Sequence, residues 1–141
     1  MNTKITVLAL ITLLVLFCFR VLAQLIQWLQ AVAWLPEFEA WHSGALPYEW
    51  LLVSQGLIIA LFVGVIIRIH RNQYAGHPTR VKLLMVVGWL YFVFMVLRFI
   101  LSLTLLPSHP WFGATLPAFF HIVLATMLLV IGYYEKTLCE K

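Results

Sequence analysis

Each of the four long apolar runs of this sequence contains a polar residue that could bind a ligand: Arg20, Gln55, Arg98 and His121. A charged residue inside the hydrocarbon layer costs on the order of 2.5–3.5 kcal/mol on insertion scales, so two such arginines require a specific role. Guanidinium groups bind phosphate and carboxylate in a bidentate manner, and glutamine and histidine can orient the bound group. The four residues therefore predict a binding site for an anionic or carbonyl-bearing head group.

The depth of these residues follows from the rise of about 1.5 Å per helical residue. Arg20 and Arg98 each lie 15 positions after the start of their apolar runs, which places both about 22 Å above one membrane edge. The second and fourth runs begin at the opposite membrane edge. Gln55 and His121 each lie five positions after the start of their run, which places both about 8 Å below that opposite edge. Gln24 lies one turn beyond Arg20. All five are predicted to share a layer in the outer half.

The charge of the two arginines needs compensation, because no acidic residue lies inside the four apolar runs. One source is the segment between the first two runs, where we predict a counter-charge or a lid from Glu37, Glu39, His42 and Glu49. The other source is a bound anion, such as a phosphate, a carboxylate or a haem propionate. A third interpretation needs neither, since an arginine about 8 Å from the surface can snorkel to the headgroups.

The same outer segment predicts a short helix over residues 36–43. Pro36 favours the first turn of a helix and Gly44 favours its end. On such a helix Phe38 and Trp41 would face the membrane. The helix would then serve as an interfacial anchor, or as a lid over the polar layer.

Other chemistries find less support in the sequence. Glu39 and His42 form a single E-x-x-H pattern, whereas carboxylate-bridged metal sites in helix bundles use two copies with further glutamates, so no metal site is predicted. Haem b remains an alternative, with His121 and either His109 or His42 as ligands. The sequence contains no Asp, no phosphate-binding glycine loop and no nucleophile motif. Binding is therefore favoured over catalysis, without deciding whether the protein is an enzyme.

The elements that must position these residues are transmembrane helices. The chain is 64% apolar and 10% charged, with a mean hydropathy of +1.01, which excludes a soluble globular domain. A bilayer core needs about 20 apolar residues per helix. We predict an all-α, integral membrane four-helix bundle that forms one domain, with spans at about 5–33, 50–67, 83–106 and 115–134.

The orientation follows from the distribution of Lys and Arg. The loop 68–82 carries four of them and no acid, whereas the loops 34–49 and 107–114 carry none. Seven of the nine Lys and Arg residues, including those near both ends of the chain, fall on one side. Both termini are therefore predicted to be cytoplasmic, in an antiparallel up-down-up-down order in which sequence neighbours pack together. Compact loops favour a bacterial inner membrane.

A stripe of small residues on the second span, Gly56, Ala60 and Gly64, predicts close helix packing. The partner helix could belong to the same chain, to a homo-oligomer or to a larger membrane complex. The leading hypothesis is a protein that binds an amphiphile, such as a lipid or a quinone, in the outer half of the bundle. The alternatives are an accessory subunit of a membrane complex, and a haem-binding or other redox protein. Membrane lipids are expected partners and nucleic acids are not.

Overall fold

The computed structural model describes residues 2–41, 46–105 and 114–140, and over these residues the chain is helical without strands. Its helices, in chain order, are α1 (Thr3–Leu29), α2 (Phe38–Trp41), α3 (Tyr48–His70), α4 (Pro78–Thr104) and α5 (Thr115–Cys139). All except α2 are long and apolar enough to cross a membrane. The predicted all-α membrane four-helix bundle is confirmed, and the chain is an integral membrane protein.

The boundaries of the helices differ from those of the apolar runs. α3 and α4 both extend into the predicted loop 68–82, which shortens to residues 71–77. α5 continues past Tyr134 to Cys139, whereas α1 already ends at Leu29. Hydropathy marks the residues that lipid tolerates, but a helix continues for as long as its backbone hydrogen bonds are made and its side chains are packed.

The central helix is α5. It packs along α4 and also contacts α1 and α2, while α1 packs against α3. The consecutive helices α3 and α4 have no Cα atoms within 8 Å of each other in the described chain. The expectation that sequence neighbours pack together is therefore correct for α1 with α3 and for α4 with α5, but wrong for α3 with α4. Each of these two helices packs its backbone against a different neighbour instead.

The bundle has two distinct ends. The start of α1 lies beside the end of α5, where the hydroxyl groups of Thr3 and Tyr134 are 3.3 Å apart. The loop 71–77 lies at this end as well, because the backbone N–H of His77 donates to the Glu135 carboxylate there. We call this the loop end, and the opposite end, which carries α2, the α2 end. The side of the membrane that each end faces stays a prediction.

The closest helix contact, between α4 and α5, depends on two glycines. A Cβ atom on Gly88 would lie 2.8 Å from the side chain of Leu129. A Cβ atom on Gly132 would lie 3.2 Å from the side chains of Leu84 and Met85. Small residues of this kind let two transmembrane helices approach closely.

The predicted stripe of small residues on α3 has no such role within the chain. Gly56 and Ala60 are exposed, and a Cβ atom on Gly56 or Gly64 would meet nothing within 4 Å among the described residues. Packing of the stripe against another helix of this chain was therefore wrong. α3 instead packs through large apolar residues, because Phe62 and Ile66 are buried in the hydrophobic core. Large side chains of this kind fill the space between helices. A seam with another chain stays a prediction.

A buried carboxylate fixes the loop end. Glu135 is completely buried, and its carboxylate accepts hydrogen bonds from the Arg80 Nε at 2.6 Å and from the His77 backbone N–H at 2.9 Å. The Tyr74 hydroxyl lies 3.5 Å from the same carboxylate. Burial raises the pKa of the Tyr74 hydroxyl, and the negative charge of Glu135 raises this pKa further. The cluster holds the loop 71–77 against α5.

Candidate functional site at the α2 end

The two intramembrane arginines point into the bundle. Arg20 is 6% exposed and Arg98 is 3% exposed. A terminal guanidinium nitrogen of Arg20 donates to the carbonyl oxygen of Trp41 at 3.1 Å. The same guanidinium lies 5.8 Å from the centre of the Phe120 ring, which adds a cation–π contact. The positive charge of Arg20 is thus held inside the protein and not among the headgroups.

A pocket of about 240 Å³ opens beside Arg20. Three helices supply its polar lining: α1 provides Arg20, α3 provides Ser54 and Gln55, and α5 provides His121. The rest of the lining is apolar and consists of Phe17, Leu46, Leu51, Ile58, Pro117, Phe120 and Leu124. A small number of polar groups inside a mainly apolar wall is typical of sites for small ligands.

The other two predicted site residues lie near this pocket but do not line it. Arg98 is close enough to Tyr91 and His121 to interact electrostatically with both. Gln24 is completely buried and follows Arg20 by one helical turn. The structure therefore brings Arg20, Gln55 and His121 into one pocket wall, with Arg98 and Gln24 buried beside them.

A hydrogen bond joins α4 to α5 at the site. The Tyr91 hydroxyl lies 2.5 Å from Nδ1 of His121, and the two rings meet edge to face with centroids 5.9 Å apart. A neutral imidazole carries one donor and one acceptor nitrogen. Because Tyr91 occupies Nδ1, the Nε2 atom of His121 is the nitrogen that can hydrogen-bond to another group.

Several buried polar atoms at the α2 end have no hydrogen-bond partner among the described residues. They are the Nε atom of Arg20, the Tyr48 hydroxyl and both amide atoms of Gln24 and of Gln55. Buried polar groups in proteins are nearly always hydrogen-bonded, and each unpaired one costs about 1–3 kcal/mol. Around the buried Arg20, the described residues thus leave several polar atoms without hydrogen-bond partners.

The segment between α1 and α2 folds over this end through Gln27. The side-chain amide nitrogen of Gln27 lies 2.7–3.3 Å from three backbone carbonyl oxygens, those of Val32, Leu35 and Pro36. Its amide oxygen accepts from the Val32 backbone N–H at 2.6 Å. The Trp41 indole N–H donates to the Pro36 carbonyl oxygen at 3.0 Å. One glutamine and one tryptophan therefore hold this segment in place at the α2 end.

The prediction that Trp41 faces the membrane was wrong. Trp41 is 3% exposed, and its ring packs against Phe120 with centroids 6.3 Å apart. Its indole N–H and its carbonyl oxygen both have protein partners, which removes the reason for a tryptophan to seek the headgroup region. The predicted helix 36–43 is represented by α2, and residues 42–45 lie outside the described residues.

The glutamates predicted as counter-charges stay in solvent. Glu37, Glu39 and Glu49 are exposed, and within the described chain none of them forms an ion pair with Arg20. His42, the fourth candidate, lies outside the described residues. A carboxylate loses much hydration on entering an apolar pocket, so these exposed positions are the physically favourable ones. The chain thus leaves the charge of Arg20 without an acidic partner in its described part.

The described residues contain no group of three or more His, Cys, Asp or Glu that could hold a metal ion. His109, like His42, lies outside the described residues, together with most of the predicted loop 107–114. Both were predicted as partners of His121 for haem b. That alternative stays a prediction.

Sequence reasoning missed several residues that shape the site. Tyr91 precedes Arg98 by seven positions, or two helical turns, so it lies on the same face of α4 and could have been found from that spacing. Gln27 follows Arg20 by the same interval on α1. Tyr48 offered no signal, because an aromatic residue near a membrane surface is normally an interfacial anchor.

The α2 end combines a buried cation, two unpaired amide groups and an imidazole around an apolar pocket. Such a set can donate several hydrogen bonds to an anionic group without a proton transfer or a redox step. The chain matches no protein-family model, no curated protein and no solved structure with which it was compared.

Proposed function

We propose that this small membrane protein binds an amphiphile through its anionic head group, in the pocket at the α2 end. One observation carries the proposal: the Arg20 guanidinium is buried in the pocket wall, beside the unpaired amide of Gln55, without an acidic partner in the described chain. A buried charge is retained at this cost only where a partner compensates it. The ligand's phosphate or carboxylate is that partner.

The roles of the residues follow from their chemistry. One terminal N–H of Arg20 already donates to the Trp41 carbonyl oxygen. Its Nε–H has no partner in the described chain, so this group can still donate to an anion. The Gln55 amide can add an N–H donor from α3, and His121 can add one through Nε2 from α5. Arg98 adds positive charge close to His121 and so favours an anion over a neutral head.

The test is native mass spectrometry of the protein released gently from its own membranes. We expect an adduct with the mass of an anionic lipid on the unaltered chain. Arg20→Met should reduce its occupancy by about tenfold or more, because charge-assisted hydrogen bonds contribute roughly 1.5–3 kcal/mol. Arg98→Met should have a smaller effect, since Arg98 does not line the pocket.

The matched control is Arg68→Met, which removes the same charge from an exposed position in the last turn of α3, at the loop end. This variant should retain the adduct. Circular dichroism on all variants verifies that each chain is folded. Equal occupancy in folded Arg20→Met and unaltered protein would refute the proposal. An adduct with the mass of a quinone would show that the bound head group is a carbonyl and not an anion.

A further inference from the structure

An apolar cleft separates α3 from α4 on the surface of the bundle. It has a volume of about 370 Å³, and α5 forms its floor. Its lining consists of Leu57, Ile58, Leu61, Phe62, Tyr91, Leu124 and Leu128. The only polar atom these side chains offer is the Tyr91 hydroxyl, which is already bonded to His121. The cleft therefore suits a hydrocarbon group and offers nothing to a polar one.

The cleft and the polar pocket adjoin each other. Ile58 of α3 and Leu124 of α5 line both spaces. The hydrogen bond between Tyr91 and His121 crosses the same boundary, because Tyr91 lines the cleft and His121 lines the pocket. The space between α3 and α4 thus lies directly beside a head group bound at Arg20.

We infer that the cleft between α3 and α4 holds one hydrocarbon tail of the amphiphile whose head binds at Arg20. This inference rests on the proposed function. The volume of the cleft lies at the low end of the range of about 300–1,000 Å³ for ligand pockets, and we therefore assign it a single tail. The ligand enters sideways from the lipid layer, where Leu57 and Leu61 are largely exposed at the edge of the cleft.

The tail alone cannot determine which molecule occupies the cleft. Lipid tails are as apolar as leucine, so a tail gains no hydrophobic free energy by moving from the bilayer into the cleft. Occupancy by a particular molecule must therefore depend on its head group. The inference consequently predicts that contacts deep in the cleft are lost when the distant Arg20 is changed.

The experiment uses the full chain in bilayers that contain phosphatidylglycerol with a photoreactive diazirine on one acyl chain. After illumination and digestion, mass spectrometry maps the labelled residues. We expect labelling of the inner cleft residues Ile58, Phe62 and Leu124, and a reduction of about tenfold at these residues in Arg20→Met. Labelling around Val15, a lipid-facing position on α1, should be equal in both proteins.

A second variant fills the cleft without touching the polar pocket. Leu128 lines the cleft and not the polar pocket, so Leu128→Trp should abolish labelling of the inner cleft residues Ile58 and Phe62 and should lower the occupancy of the lipid adduct. The control is Val15→Trp, which adds the same side chain to an exposed surface. Carboxylate and phosphate sources are distinguished by repeating the labelling with a diazirine fatty acid, and whichever probe gives the Arg20-dependent pattern identifies the head.

The outcomes separate this inference from the proposed function. Labelling of the cleft that is equal in unaltered protein and in Arg20→Met would mean that bulk lipid fills it, which overturns the inference. Labelling spread evenly over all lipid-facing surfaces overturns it as well. In both cases an adduct that depends on Arg20 in native mass spectrometry would still support the proposed function, and only retention of that adduct in Arg20→Met would refute both.

Discussion

The loop end and the α2 end both bury charged side chains, but the described residues satisfy the buried polar groups only at the loop end. At the loop end, the completely buried carboxylate of Glu135 accepts hydrogen bonds from Arg80 and from the His77 backbone N–H. At the α2 end, Arg20 donates to one backbone carbonyl, while its Nε and the Gln55 amide have no partner in the described chain. The two ends therefore differ in how far the described residues pair the buried polar groups.

Under the proposed function, this difference separates a structural role at the loop end from a binding role at the α2 end. A buried charge whose partners all belong to the chain stabilises one arrangement of its helices. A buried polar group that the chain does not satisfy lowers the free energy of unfolding, and such groups are concentrated at functional sites. Removing the satisfied Glu135 and removing the unsatisfied Gln55 should consequently change stability in opposite directions.

The largest expected effect is at the loop end. Glu135→Ala leaves the His77 N–H without its acceptor and removes the partner of Arg80, so the free energy of unfolding should fall by about 2–3 kcal/mol. Arg80 is half-exposed and regains water, which keeps the loss below that of a fully buried pair. Reversible unfolding in detergent micelles measures the change.

Glu140→Ala is the matched control for this substitution. Glu140 is exposed, and its ion pair with Lys136 has an N–O distance of 3.7 Å. Exposed pairs of this type contribute about 0.3–0.5 kcal/mol, so the control should be almost neutral. Equal losses in the two variants would show that the Glu135 cluster is not the stabilising feature that distinguishes the loop end.

The second effect has the opposite sign. Gln55→Leu replaces an unsatisfied amide by an apolar side chain of similar size, so in lipid-free protein the free energy of unfolding should rise by about 1–2 kcal/mol. The same variant should retain less of the anionic lipid, because a donor to the head group is lost. Unfolding measured after delipidation tests the first result, and native mass spectrometry tests the second.

Gln27→Leu makes the matched comparison within the α2 end. The Gln27 amide is satisfied by the segment between α1 and α2, so its removal should lower the free energy of unfolding by about 1–3 kcal/mol. If both glutamine variants changed stability in the same direction, hydrogen-bond satisfaction would not be what separates these residues. The contrast between the two ends would then fail.

The smallest effect concerns the titration of Tyr74. Burial and the negative charge of Glu135 both raise the pKa of the Tyr74 hydroxyl, whereas Arg80 lowers it. Glu135→Gln should therefore move this pKa down toward its ordinary value, and Arg80→Gln should move it up. NMR of tyrosine labelled with ¹³C at the ζ carbon follows this residue separately. Shifts with the reverse signs would contradict the arrangement of charges at the loop end.

The four helices could be predicted because lipid imposes a simple requirement: about 20 apolar residues in each span. The convergence of Arg20, Gln55 and His121 was also predictable, because the rise per residue converts sequence position into depth. Neither prediction depends on which helices are neighbours. Both depend on one dimension, along the membrane normal.

The remaining features depend on the two dimensions in the membrane plane. The small residues of α3 suggested close packing, yet the tight contact uses Gly88 and Gly132. In lipid, both glycine sets satisfy the same small-residue rule, so hydropathy and spacing do not distinguish them. Glu135 was overlooked because it lies beyond the last apolar residue, and its burial arises only where the loop 71–77 folds back onto α5.

The central position of α5 also bears on how the chain is made. α5 follows the other helices in sequence, so α1, α2 and α4 are synthesised before the helix that they all contact. α1 and α3 can pair as soon as both have emerged, but α4 has no described backbone neighbour until α5 arrives. Until α5 is present, Gly88 lacks its contact with Leu129, and Arg80 lacks its hydrogen bond to Glu135. A chain that stops before α5 would contain α1 paired with α3, and α4 without a helix partner. Membrane quality control can recognise such incompletely assembled forms.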